Sequence, residues 1–187
     1  MKKIKEIIVP AIALFMICLV ATFLLGGTDL LTKDRIAEVQ EKTAQQARLN
    51  VCPGAVDFTE TVVSVDGSDY SVYEGTDEEG NVIGYAVTAS DKSYGGEIIV
   101  MTGFDSEMKV TGVEILSIDD TPGLGMNAKK EEFRQQYIGK TGEITVSKQT
   151  PGENEIQALT GATITSKAVT RCVSAAYAAV SNMGGEN

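Results

Sequence analysis

Residues 81–118 read NVIGYAVTASDKSYGGEIIVMTGFDSEMKVTGVEILSI. Three apolar, β-branched runs, 81–90, 96–105 and 109–118, are broken only by short polar or glycine-bearing turns. Runs of that length and composition predict strands. Working outward, TVVSV (61–65) and SDYSVYEG (68–75) predict two more strands before them, and GEITVSKQ (142–149) one after. EEFRQQYIG (131–139) predicts a short amphipathic helix, with Phe133 and Tyr137 four apart on one face. A last helix is predicted from Ser166 to Val180. Val169, Cys172, Val173, Ala176 and Val180 fall on one side of it, and Gly184-Gly185 end it. Strands grouped together with helices at either end predict an α+β domain over a largely antiparallel sheet. The domain is expected to span 53–187, without internal repeat or second domain.

The amino-terminal part has a different character. Three lysines precede Ile7–Leu25, which carry no charge. Nineteen residues at ~1.5 Å rise span about 28 Å, close to the hydrocarbon thickness of a bilayer. A cleaved signal peptide normally has a shorter apolar region ending in a small-x-small site. The length here predicts an uncleaved, single-pass cell-membrane anchor, with residues 1–27 as cytoplasmic tip and span. Lys2, Lys3 and Lys5 favour a cytoplasmic amino terminus, which puts the main domain outside the cytoplasm. Residues 28–52 predict a connecting helix with a thin apolar stripe (Ile36, Val39, Ala47, Leu49), ended by Pro53-Gly54. GGTDLLT (26–32) is expected to act as a short hinge.

Composition removes several classes of function. The net charge is −10, and the anchor itself is cationic, so the exported part is more acidic still. Such a surface repels nucleic acid, whose binding rests on Lys and Arg neutralising phosphates. There is no histidine, which removes the commonest general base and transition-metal ligand. Cys18, Cys52 and Cys172 are widely spaced and form no CxxC pair, so a zinc or iron–sulfur site made by this chain is not expected. A Cys52–Cys172 disulfide and two free buried thiols both remain open. Any redox chemistry must be borrowed from a cofactor.

Three further stretches carry chemistry: SYGGE (93–97), DDTPGLGMN (119–127) and LTGATITSKAV (159–169). The first two taken singly are tight turns, and neither fits a Walker loop or a GxGxxG dinucleotide loop. The third can be explained as helix capping by hydroxyls.

Together these stretches give the sequence a resemblance to a known family. TGATITS resembles the flavin-attachment motif [ST]-G-A-T-x-[ST]-[ST] of exported FMN-binding domains. TPGLG resembles the second hallmark of the G subunit of the Rnf electron-transport complex. YGG before a strand and PGAVDF (53–58) stand where that subunit has such segments, so the resemblance covers essentially the whole chain. Related domains occur in the C subunit of the sodium-translocating NADH:quinone reductase.

The resemblance implies FMN joined by a phosphoester bond to the threonine of the GAT triplet, Thr163, and installed from FAD by a separate flavin transferase. It implies Thr160, Gly161, Ala162, Thr165 and Ser166 around the attachment point. Thr121, Pro122, Gly123, Leu124 and Gly125 would approach the isoalloxazine, with Tyr94 and Gly95 beside it. Tyr94 is expected in the core rather than stacked on the ring. Thr163 would lie a few residues before the helix, with Thr165 and Ser166 adding hydroxyl donors to a phosphate at the positive end of the helix dipole. Gln157 stands where the family pattern often has Asp, and Asp120 where the ETPGLG form has Glu.

By resemblance the chain is an electron carrier in a membrane complex that links ferredoxin and NAD to ion pumping, with the other Rnf subunits as partners. A stand-alone exported flavoprotein and an unmodified exported interaction module are the two alternatives.

Overall fold

The computed structural model describes residues 2–65 and 67–183, with the side chains of 2–7, 9 and 30 outside the description. Asp66 and the expected terminator Gly184-Gly185 lie outside the described residues.

Helix α1 runs from Lys2–Val51 without a break. It passes straight through Gly26-Gly27, so the expected hinge is helical. The helix formers on both sides outweigh the cost of roughly 1 kcal/mol that each glycine adds to a helix interior. In its apolar stretch Phe15, Ile17, Phe23 and Leu25 are all exposed. Thr22, Thr28 and Thr32 turn their hydroxyls back onto the carbonyls four residues earlier, at 2.8–2.9 Å, which satisfies them without water. Further along, Glu38 pairs with Arg35 and Lys42 on one exposed face. Residues 1–43 and 44–187 form separate compact units.

In the second unit, the end of α1 leads into a five-stranded sheet. Its strands are β1 (Asp57–Val65), β2 (Ser68–Thr76), β3 (Val82–Lys92), β4 (Glu97–Asp105) and β5 (Val110–Ile118). They lie side by side in chain order, each antiparallel to the next. The predicted sheet is therefore present, and β1 begins four residues earlier than its sequence signal. Both faces of the centre are covered. Ile98, Val100 and Phe104 of β4, with Val87 and Ala89 of β3, face one core. Ala86 and Met101 face the other, where Ala47 and Val51 of α1 cover them. Thr111 Oγ1 donates to the Val51 carbonyl, fixing the helix end on the sheet.

Helix α3 (Thr163–Met183) covers the first face. The expected stripe Val169, Cys172, Val173, Ala176 and Val180 is buried, joined by Ala168 and Ala179. Alanines at those positions let the helix lie close to the sheet, and Tyr177 meets Phe104 edge to face at 6.0 Å.

Between β5 and α3 the chain is short-range. A 3-10 turn covers Gly125–Lys129, and helix α2 is only Glu131–Arg134 before tightening into a second 3-10 turn, Gln135–Tyr137. Phe133 and Tyr137 do share a buried face, 5.7 Å apart. The expected strand over 142–149 contracts to β6 (Thr145–Ser147), parallel to the unanticipated β7 (Glu155–Gln157). Cys52 and Cys172 are both buried free thiols. Cys172 belongs to the α3 core, whereas Cys52 packs against Gly75 and Gly84 at the end of α1.

Candidate functional site

Sheet register brings the three glycine-bearing stretches to one place. Lys92 pairs with Glu97, and Ile98 with Ile118, so the 93–96 turn and the chain leaving β5 emerge at the same end of the sheet. The amino terminus of α3 meets them there. Together they line a cleft of about 460 Å³ formed by Tyr94, Asp120, Thr121, Leu124, Gly125 and the run 161–165.

Asp120 is the hub. The residue is 4% exposed. Oδ2 accepts from Ser93 Oγ and from Thr165 Oγ1, and Oδ1 accepts from the Gly95 amide, each at 2.5 Å. One carboxylate therefore ties the β3–β4 turn, its own loop and the first turn of α3 together. Burial alone would push this carboxyl up. The hydrogen bonds from Ser93, Thr165 and Gly95 outweigh it and hold the pKa below the ordinary aspartate value. Gly125 packs against the same hub. A Cβ there would overlap both Asp120 Oδ2 and Thr165 Oγ1, so no side chain fits.

Helix α3 begins at Thr163 itself, three residues before its expected start. Ala162 is its cap residue: its carbonyl accepts the first helical bond, from the Ser166 amide at 3.0 Å. Gly161 reaches that position with φ of 74°, in the left-handed region that favours glycine. Alanine has no side-chain acceptor, so among the described residues nothing accepts from the amides of Thr163, Ile164 or Thr165. Three free N–H groups at the positive end of a 21-residue helix are suited to an anion.

The hydroxyls around them are divided. Thr165 donates to Asp120 and is buried. Ser166 donates to the Ala162 carbonyl and accepts from the Leu159 amide at 2.9 Å. Neither hydroxyl is turned outward, contrary to the expectation that they supply donors to a phosphate; interior partners have claimed them. Thr163 is half-buried, lines the cleft, and its hydroxyl bonds to no described residue.

The remaining expected residues separate in the same way. Leu124 and Gly125 line the cleft with Thr121, while Pro122, Gly123 and Thr160 are exposed and do not. Gly95 contributes its amide to Asp120. Tyr94 is 74% exposed, which overturns its expected core position. It sits in the β3–β4 turn and adds an apolar surface to the rim with Leu124 and Ile164. Gln157 ends β7 and is exposed. Sequence reasoning overlooked Ser93 and Ile164 and treated Asp120 only as a shortened glutamate. The available signal was an acidic residue leaving a strand directly into a glycine loop.

Residues 93–178 match the FMN-binding domain model, a span that begins at Ser93 and takes in all three stretches. Residues 1–51 match the RnfG N-terminal region. The G subunit of the Na(+)-translocating ferredoxin:NAD(+) oxidoreductase complex of Acetobacterium woodii is 36% identical, over 96% of this chain and 94% of the relative. The chain belongs to the family of Rnf complex G subunits.

Other members of the G-subunit family extend the match. The G subunit of the ion-translocating oxidoreductase complex of Methanosarcina acetivorans is 30% identical, over 97% of this chain and 98% of its own. A Clostridium ljungdahlii relative, 44% identical over 58% of this chain and 60% of its own, is named for proton rather than sodium translocation. Ion choice therefore does not follow from membership. At the level of fold, the C subunit of the Na(+)-translocating NADH-quinone reductase of Parabacteroides distasonis superposes with a TM-score of 0.56 at 17% identity, over 80% of this chain and 94% of that one. NqrC of Shewanella oneidensis gives 0.51 at 17% identity, over 66% of each chain.

Proposed function

We propose that this G subunit is the electron-carrying flavoprotein of a membrane-bound, ion-translocating ferredoxin:NAD oxidoreductase complex, with FMN joined through its phosphate to Thr163. The observation that carries the reading is the division of hydroxyls. Thr163 is the motif hydroxyl that lines the cleft and remains uncommitted, while Thr165 and Ser166 are held by interior partners.

The residues fit an FMN. The free amides of Thr163, Ile164 and Thr165 suit its phosphate, and among the described residues no Lys or Arg lines the cleft to do so instead. The exposed faces of Tyr94, Leu124 and Ile164 suit a flat aromatic ring. A cleft of about 460 Å³ falls within the range of small-ligand sites. Thr163 Oγ1 would supply the attachment oxygen: an Oγ1–P bond to the flavin phosphate would replace the pyrophosphate P–O bond of FAD, with AMP as leaving group and the hydroxyl proton passing to the flavin transferase. When bound, FMN supplies the redox change, so the chain needs no acid or base of its own. Its part would be to hold the phosphate at α3, to keep Asp120 buried beneath the loop, and to leave the flavin within reach of partners.

Helix α1 is long and apolar enough to cross a membrane. With Lys2, Lys3 and Lys5 cytoplasmic, the flavin domain faces outward. The partners are the other membrane and peripheral subunits of the complex.

The test is extraction of native membranes in mild detergent and capture of this chain. Co-purification of further membrane subunits, with flavin fluorescence remaining on the denatured band of this chain, supports the reading. A fluorescent chain that elutes alone points to a stand-alone flavoprotein, and a colourless one to an interaction module.

A further inference from the structure

We propose that Asp120 is the positioning residue of the attachment site, acting through Thr165 to select which hydroxyl receives the flavin. This inference rests on attachment at Thr163. TGATITS offers four hydroxyls within seven residues, and a transferase acting on an unstructured loop has little to separate the threonines chemically. The fold separates them. Asp120 lies at the bottom of the cleft, 45 residues away in sequence, and takes the Thr165 hydroxyl as a buried donor. That bond fixes the rotamer of Thr165, withdraws it from nucleophilic attack, and anchors the first turn of α3.

The same carboxylate is also held by Ser93, on the oxygen that takes Thr165, and by the Gly95 amide on the other, so it is not free to follow the helix if the turn shifts. Gly125 fills the space behind it, within contact of both Asp120 and Thr165. With α3 held this way, Thr163 faces the cleft two residues before Thr165, beside its unpaired amides. Among the described residues, Asp120 bonds to Ser93, Gly95 and Thr165 and not to the Thr163 hydroxyl. Its effect is on orientation. Orientation is a steep variable in group transfer, since a displacement of about 1 Å costs roughly a hundredfold in rate.

The bond can be tested from both ends in the full-length protein in detergent, incubated with flavin transferase and FAD. Thr165→Val keeps the shape and removes the donor, Thr165→Ser keeps the donor, and Asp120→Asn keeps the size and removes the charge. The readouts are the initial rate of covalent flavin incorporation, the threonine modified, and amide hydrogen exchange over 160–166 before any flavin is added. Thr165→Val and Asp120→Asn are each expected to slow incorporation about tenfold or more, and Thr165→Ser to restore most of it. The double variant is expected to lose less than the sum of the two single losses, because both weaken the Asp120–Thr165 bond. Exchange is expected to rise over 160–166 and over 93–96 while that of β1 and β2 stays unchanged.

Wild-type rates in both single variants, or additive losses in the double variant, would overturn the proposal. So would exchange rising evenly through the whole sheet, which marks a general loss of stability. If the wild-type protein carries no flavin on Thr163, the functional reading fails. The exchange measurement then still reports whether Asp120 and Thr165 set the start of α3.

Discussion

Asp120 Oδ2 accepts the Thr165 hydroxyl at 2.5 Å, joining the loop after β5 to the first turn of α3. The carboxylate is more acidic in the folded chain than its ordinary value of 3.8. A group with a depressed folded pKa adds stability above its unfolded pKa and loses it as pH falls through the folded one. The thermal midpoint is therefore expected to fall below pH 3.8 partly through this group, and Asp120→Asn to flatten that acid limb while lowering the neutral plateau. Melting curves of the two proteins across the acid range check both effects.

Gly125 occupies a position where any Cβ overlaps Asp120 and Thr165. Gly125→Ala forces that carboxylate or the helix start to move, and overpacking of this kind costs about 1–3 kcal/mol. Denaturant titration of the full chain in detergent should show that loss. Gly80→Ala serves as the control: it lies far from the cleft in a β2–β3 turn, and its φ of 83° predicts a loss without any change in the site.

The two domain cysteines are expected to be inert in the native state. Burial pushes the Cys172 thiol up to about 12 and raises that of Cys52 as well. Thiolate, the reactive form, is then scarce at neutral pH. Alkylation followed by peptide mass spectrometry should label neither residue until the protein is unfolded, and both afterwards. A disulfide-linked peptide in the unreduced digest would contradict the free thiols seen here.

Tyr137 is fully buried, and its hydroxyl is 2.8 Å from Thr170 Oγ1. Thr170 donates to the Ser166 carbonyl, which leaves Tyr137 as the donor in their shared bond. Tyr137→Phe removes one buried hydrogen bond and is expected to cost about 0.5–1.5 kcal/mol by denaturant titration. Flavin attachment should be unaffected, because Thr170 lies on the second turn of α3.

These effects show which features the sequence carried. The strands were legible because each buries a β-branched run between polar turns, and the stripe on α3 because helical periodicity is local. The start of α3 was not. Thr165 and Ser166 have the composition of a cap, yet their hydroxyls serve Asp120 and the 159–162 backbone, while alanine occupies the cap position. A contact across 45 residues leaves no trace in local spacing. Tyr94 was misplaced for a related reason: residue type favours burial, but its turn projects beyond the sheet. Strand β7 is three residues long and exists only through its pairing with β6.

The central claim is that Thr163 carries the flavin. The direct measurement is peptide mass spectrometry of the full-length protein produced together with its flavin transferase. The account predicts one FMN phosphoester on the peptide spanning TGATITS, localised to Thr163 and absent from Thr163→Ala. Flavin localised to Thr160 or Thr165, or retained by Thr163→Ala, would contradict it.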